Sequence, residues 1–285
     1  MKDKFFGVVE GFYREPYTFK QRLDLISFLS DLGLNTYVYG PKADPFHRTS
    51  WHKPYPVRTL KEFKKLNERC RKYAIHFNYA LSPMSKPNTE KILKKINAMM
   101  RIGITDFSLF YDDIEVPRTK ETAEAQIETA NRLYDFLRDN ITNPTLFFCP
   151  TQYCGFDKTE YIVTISKKLH KNIHIFWTGN RIVAKKITAR HVDKMKTIIR
   201  RSPLLWDNFF ANDYVPRIIF KFPYRNREPA IVQKVRGILI NPMNEYHQSK
   251  PLIYTAAKFF KDPYGYHARR AWREAKSIRE MTNNE

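Results

Sequence analysis

Two adjacent aspartates, Asp112 and Asp113, close the apolar run Asp106–Ile114 (DFSLFYDDI). Successive side chains on a strand point to opposite faces. Both carboxyls can serve one site only if the strand ends there and the second residue enters the loop, as Ile114, Glu115, Val116 and Pro117 permit. Two carboxyls held close resist ionising together, the setting in which one of a pair keeps a proton near neutral pH and acts as a general acid. The dipeptide alone also suits a helix cap, a surface-loop pair or a magnesium site, although no phosphate-cradling glycine loop accompanies it. Other apolar runs close on polar groups too: Gly11, Lys42, Ser82, Tyr153, Trp177 with Thr178, Trp206 with Asn208, and Asn241. One such ending is ordinary; a series of them argues for a built site. Trp206, Tyr153, Trp177, Tyr13 and Phe12 could pack against the C–H faces of a sugar, while Asn208, Asn212, Asp213 and Asn241 take its hydroxyls. Core filling is the competing fate of each aromatic.

The runs that carry these groups are Phe5–Gly11, Thr36–Lys42, His76–Pro83, Asp106–Ile114, Leu146–Tyr153, Ile173–Gly179, Ser202–Asn208 and Arg236–Pro242. They are β-branched, aromatic and nearly continuous in apolarity, as buried parallel strands are. Amphipathic stretches separate them. Phe19–Gly33 sets Leu23, Ile26, Leu29 and Leu32 at helical spacing and ends on glycine. Leu60–Ala74, Asn88–Gly103, Thr119–Asn140, Ala189–Arg201, the shorter Lys158–Leu169 and a brief Ala230–Lys234 read the same way. Eight strands alternating with helices predict a fold of the α/β class, a single-domain (β/α)8 TIM barrel. A doubly wound open sheet is the alternative, but no G-x-G-x-x-G opens a first βα unit. The barrel is assigned residues 1–250, and 251–285 supply closing helices of the same domain, Leu252–Phe260 and Tyr266–Met281, the second with Trp272 inward. In such a barrel the catalytic groups gather at the C-terminal ends of the strands.

The motifs at those ends are similar to one family. GVVEGFY (Gly7–Tyr13), NTYVYGPKADPFHR (Asn35–Arg48), Trp51 with Tyr55-Pro56, YALSP (Tyr79–Pro83), FYDDI (Phe110–Ile114), FCPTQYCG (Phe148–Gly155), WTG (Trp177–Gly179), WDNFFANDY (Trp206–Tyr214) and GILINP (Gly237–Pro242) resemble, in order, the catalytic domain of glycoside hydrolase family 84. That family comprises the O-GlcNAcases and related β-N-acetylglucosaminidases and hyaluronidases. The resemblance implies a retaining reaction in which the substrate's own 2-acetamido oxygen is the nucleophile, an exception to the two-carboxylate scheme. It implies that Asp112 orients the acetamido N–H and that Asp113 protonates the leaving oxygen. Tyr153 and Asn208 match residues beside the acetamido group, Cys149 and Trp206 the walls around its methyl. Asp213 and Asn241 match holders of the 4- and 6-hydroxyls, and Lys42 and the Gly11 backbone match contacts to the other hydroxyls. The family usually has Gly where Arg14 stands, Trp at Tyr17, and Asp-Asp at Ala43-Asp44; Arg14 is expected to add bulk on the leaving-group side. Larger members continue into a helical stalk, so a dimer built through one is not carried over, and the oligomeric state is left open.

Composition adds limits. Lys and Arg number 50 against 29 acidic residues, a net charge of +21. That excess permits incidental adhesion to nucleic acid or other polyanions, and it suits an anionic glycan such as hyaluronan as rival substrate. No RNP, helix-turn-helix or zinc-finger signature supports a nucleic-acid reader. A non-catalytic GlcNAc-binding barrel is the other alternative. Three cysteines, Cys70, Cys149 and Cys154, give neither a disulfide framework nor a zinc pair, so no cofactor or metal is expected. No apolar run reaches the roughly 18 residues of a membrane helix. With no signal-like start either, the cytosol or nucleus is the expected compartment.

Overall fold

The computed structural model describes residues 4–85, 87–215 and 218–282. Each apolar run forms a strand: β1 (Phe5–Glu10), β2 (Thr36–Tyr39), β3 (His76–Leu81), β4 (Asp106–Phe110), β5 (Thr145–Cys149), β6 (His174–Trp177), β7 (Leu204–Asp207) and β8 (Gly237–Ile240). They pair in parallel in chain order, and β1 closes the barrel on β8 with Phe5 opposite Gly237 and Val8 opposite Ile240. Between them run α1 (Phe19–Asp31), α2 (Val57–Lys72), α3 (Thr89–Met100), α4 (Lys120–Asn140), α5 (Glu160–Lys168), α6 (Ala189–Ile199) and the single turn α7 (Ile231–Lys234). The helices start where the sequence supplies a cap: the side chains of Thr18, Asn88, Thr119, Thr159 and Thr188 accept from backbone N–H groups of the first turns. Each such cap contributes about 1 kcal/mol.

Alternation along the strands divides the apolar residues between two cores. Phe5, Val9, Val38, Phe110, Phe147, Phe176 and Trp206 fill the barrel interior. Phe5 meets Phe147 edge-on at 4.8 Å, and Trp206 lies 5.0 Å from Phe110 and 5.3 Å from Phe176. Their neighbours along the strands, such as Val8, Tyr37 and Leu205, face the helices and form the larger outer core. The interior is therefore packed with side chains, and its uppermost ring, Trp206, becomes part of the floor of whatever sits above.

The structure differs from the sequence expectation in two respects. Gly11, Lys42, Ser82, Tyr153, Thr178, Asn208 and Asn241 all lie just beyond the strands they seemed to close, whereas Trp177 and Trp206 lie on β6 and β7; Asp112 and Asp113 lie in a turn after β4 rather than on it. The first closing helix, α8 (Tyr246–Lys261), starts well ahead of Leu252 and runs through Pro251. Proline removes one helical hydrogen bond but does not end this helix, whose inner face is buried along its length. α9 (Ala268–Thr282) packs on α8. Among the described side chains of α9, Ala271 and Ala275 are buried, and Trp272 is half-buried against the same core.

Candidate active site

Buried ion pairs flank the mouth on the helix side of the sheet. Glu10, the last residue of β1, takes two hydrogen bonds from Arg22 of α1, at 2.9 and 2.6 Å, and one from the Tyr37 hydroxyl. Asp207, the last residue of β7, is held alike by Arg227 at 2.8 and 2.6 Å and by Tyr224 at 2.6 Å. All six side chains are buried. A buried charge persists only when it is paired and hydrogen-bonded. The strand pleat then sets Gly11 and Trp206, the chain neighbours of these carboxylates, toward the barrel axis. Arg227 also donates to the carbonyls of Ala184 and Lys185, which ties the loop after β6 to the end of β7.

Above the interior core lies a cavity of about 250 Å3. That is below the roughly 300–1,000 Å3 of drug-sized sites and in keeping with one sugar ring. Asp112 and Asp113 both line it. Asp112 is buried and forms an ion pair with the buried ammonium of Lys42 through Oδ2, while its Oδ1 has no hydrogen-bond partner. Lys42 sits below the cavity lining, 5.4 and 5.6 Å from the rings of Phe110 and Trp206. Asp113 is exposed and takes the left-handed conformation, φ 52°, which a residue with a Cβ holds at a cost of about 1–2 kcal/mol. Its carboxylate accepts from Tyr153 at 2.5 Å and from Tyr13 at 2.9 Å. Both phenols are pushed above their ordinary pKa, first by burial and then by Asp113 itself, so they stay protonated donors.

The far side of the cavity is an amide network. Asn208 Oδ1 accepts from Trp206 Nε1 and Asn241 Nδ2, each at 2.9 Å, and Asn208 Nδ2 donates to Ile182 O at 2.9 Å. Asn241 Oδ1 in turn accepts from Gly11 N at 3.3 Å, and Asp213 Oδ2 from Tyr13 N at 2.8 Å. A Cβ on Gly11 would lie 2.1 Å from the Trp206 ring, so the residue there must be glycine. Cys149 lines the floor; burial first, then Asp112, pushes its thiol well above the ordinary range and leaves it uncharged. Among the described residues no group of three His, Cys, Asp or Glu side chains is placed to hold a metal ion.

A family model described as beta-N-acetylglucosaminidase matches residues 6–285. The chain belongs to the beta-N-acetylglucosaminidase family. Among curated proteins it is similar to Protein O-GlcNAcase of Rattus norvegicus and of Mus musculus, each 35% identical over 274 residues. Those matches take in 90% of this chain and 30% of each relative, so the chain spans about a third of their length. Among solved structures, a variant of the Thermobaculum terrenum O-GlcNAc hydrolase superposes with a TM-score of 0.92 at 32% identity, over 96% of this chain and 63% of that one. The structure of CpGH84B superposes at 0.90 with 28% identity, over 96% and 51%.

In this member of the family the cavity brings together Asp112, Asp113, Gly11, Cys149, Tyr153, Trp206, Asn208, Asp213 and Asn241, with Lys42 beneath. Four other residues expected at the strand ends lie elsewhere. Trp177 and Phe12 are fully buried in the outer core, so filling wins over sugar contact. Asn212 donates to Ile218 O and Glu245, bracing a loop, and Ser82 is buried against Met84. Arg14 and Ala43 line a separate depression with Asn244 and Glu245 rather than the cavity itself. Tyr17 is buried, with its hydroxyl donating to Met243 O at 2.7 Å. The sequence reading missed Ile182 and Val183, which form a wall on the loop after β6, and Tyr214 on the loop after β7. Their one signal is an apolar pair in a basic loop, RIVAKK, which has no periodicity to mark it. Among the described residues no helix is long and apolar enough to cross a membrane.

Proposed function

We propose that this chain is a retaining β-N-acetylglucosaminidase that removes O-linked GlcNAc from serine and threonine of proteins by substrate-assisted catalysis. The observation that carries the reading is the unequal setting of the two carboxyls. Asp112 is fixed on the cavity floor by Lys42 and keeps one oxygen unengaged, an acceptor suited to an amide N–H. Asp113 stands at the rim on two hydroxyl donors, placed for proton transfer.

In the first step the acetamido oxygen attacks C1. The bond from C1 to the serine or threonine oxygen breaks, and that oxygen takes the Asp113 proton. Asp112 accepts the acetamido N–H as the nitrogen gains positive character in the oxazoline. Water then attacks C1 from the face the leaving group vacated, gives its proton to Asp113, and reopens the ring with the configuration retained. Tyr153 holds the acetamido group, and Cys149 and Trp206 wall its methyl. Asn208 serves the same end of the sugar through the network it anchors. Asp213 and Asn241 take the 4- and 6-hydroxyls and the Gly11 backbone faces the others, while Lys42, which the resemblance also assigns to a hydroxyl, lies beneath the lining and is engaged with Asp112. Tethering the nucleophile within the substrate can lower the barrier by up to about 7–11 kcal/mol. The relatives named as O-GlcNAcase support the protein-linked sugar as substrate. The three cysteines are free thiols, which suits a reducing compartment such as the cytosol or nucleus.

The test is hydrolysis of fluorogenic β-N-acetylglucosaminide by the wild type and Asp113→Ala, with the leaving group varied and a plain β-glucoside alongside. The expected outcome is that the variant keeps only acidic leaving groups and that the plain glucoside is turned over very poorly. Comparable cleavage of the plain glucoside rules out the acetamido nucleophile. Binding of GlcNAc with no turnover of any glycoside marks a carbohydrate-binding barrel instead.

A further inference from the structure

Arg48 has no part in the reading above. It is 7% exposed and lies on the loop between β2 and α2. That loop is held firmly. Asp44 accepts from the Tyr39 hydroxyl at 2.8 Å, the Tyr55 hydroxyl at 2.5 Å and the Phe46 N–H at 2.8 Å. His47 lies 2.8 Å from the Ala80 carbonyl through Nδ1, and its own carbonyl accepts from Ser82 N at 2.9 Å. From this base the Arg48 guanidinium crosses to the loop after β4, where Nη2 donates to the backbone carbonyl of Asp113 at 2.7 Å. Its carbon lies 5.9 Å from the Tyr13 ring centre, and Nη1 is buried without a hydrogen-bond partner.

A buried guanidinium bonded to a carbonyl, with one nitrogen unsatisfied, is a poor device for stabilising a fold. It is a good device for holding one peptide in place. Asp113 is the residue that needs holding, since its left-handed backbone, φ 52°, persists only when its surroundings enforce it. Arg48 grips that residue by its carbonyl and lies against the ring of Tyr13, whose hydroxyl donates to the same aspartate.

We infer that Arg48 is a positioning residue for proton transfer: it fixes the Asp113 turn so that the carboxyl stays between Tyr13 and Tyr153 and faces the leaving oxygen. The inference rests on the function proposed above, in which Asp113 gives the proton. With Arg48 removed, the Asp113 backbone relaxes and its carboxyl leaves the tyrosine pair.

The experiment compares Arg48→Met, Arg48→Lys and Asp113→Asn on two β-N-acetylglucosaminides. The dinitrophenyl glycoside needs no proton on departure and the alkyl glycoside needs one. A crystal structure of Arg48→Met accompanies them. General acid catalysis contributes roughly 10²–10⁴-fold. Expected for Arg48→Met is a fall of about 10²-fold in kcat/KM on the alkyl glycoside and a change of no more than about threefold in kcat/KM on the dinitrophenyl glycoside; kcat/KM reports the step in which the leaving group departs, so the base role of Asp113 toward water does not enter the comparison. Arg48→Lys should restore part of the loss, and the crystal should show Asp113 out of its left-handed turn. An equal loss on both glycosides, no loss on either, or an unmoved Asp113 overturns the inference. If Arg48→Met fails to fold, the kinetics and structure of Arg48→Lys decide in its place. A wild type inert on both glycosides, or an Asp113→Asn variant insensitive to the leaving group, sinks the functional reading instead. The crystal then still decides whether Arg48 sets the turn.

Discussion

Asp112 and Asp113 are chain neighbours with opposite settings. Asp112 belongs to the floor: buried and bound to a buried lysine that itself lies over the aromatic layer filling the barrel. Asp113 belongs to the rim: exposed, in a left-handed turn, and held by two phenols that cannot neutralise its charge. The floor inherits its rigidity from the packed interior. The rim depends on bonds between loops. One turn after β4 thus gives two identical side chains different surroundings, one buried against a cation and the other open to water on two hydroxyl donors, as the proposed division of work between them requires.

Breaking the floor should have the largest effect. Lys42→Met leaves Asp112 buried without its cation, and removing one partner of a buried pair costs about 3–5 kcal/mol. Urea denaturation should show that loss, and the double variant Lys42→Met with Asp112→Asn should recover part of it. A single variant as stable as the wild type would mean that the pair is not a structural anchor. The comparison sharpens with Asp112→Asn assayed over a leaving-group series. Loss of one transition-state contact costs about 10²–10³-fold in kcat, and the loss should be uniform across the series, whereas removal of Asp113 should tilt it. Equal slopes would erase the distinction between the carboxyls.

The smallest effect is on pH. His47 lies behind the floor, and burial, helped by the Lys42 charge, pushes its pKa down from 6.5 to about 3. The unfolded chain therefore binds that proton first, so stability is fully present above pH 6.5 and falls with pH through the window down to 3. About 1 kcal/mol should be lost between pH 7 and pH 5.5. Denaturation of the wild type and His47→Asn at both values checks it; equal slopes would show that His47 is not the group responsible.

The barrel was legible because buried parallel strands leave continuous apolar runs and their helices leave periodic ones. The site was legible where polar residues closed those runs, as at Asp112, Asn208 and Asn241. What stayed hidden has no local pattern. Trp177 and Trp206 look alike in sequence, yet one faces the helices and the other the axis, and only the pleat register decides which. The clamps Glu10–Arg22 and Asp207–Arg227 join a strand end to a later segment, and Arg48 reaches across two loops. Such pairings are fixed by the closed barrel, not by spacing. The roles given to the cavity residues came from the family resemblance, since residue types alone left sugar, metal and capping readings open.

Closure of β8 on β1 also orders events while the chain is being made. The bond between Gly11 and Asn241 joins residues 230 apart, and Asn244 holds the Tyr13 carbonyl across 231. The clamps that aim the strand ends span only 12 and 20 residues. Short loops close at lower entropic cost and sooner than long ones. On the ribosome, the scaffold can settle piece by piece, with one edge of β1 waiting unpaired. The cavity cannot be completed before the final strand emerges and the two ends of the barrel meet.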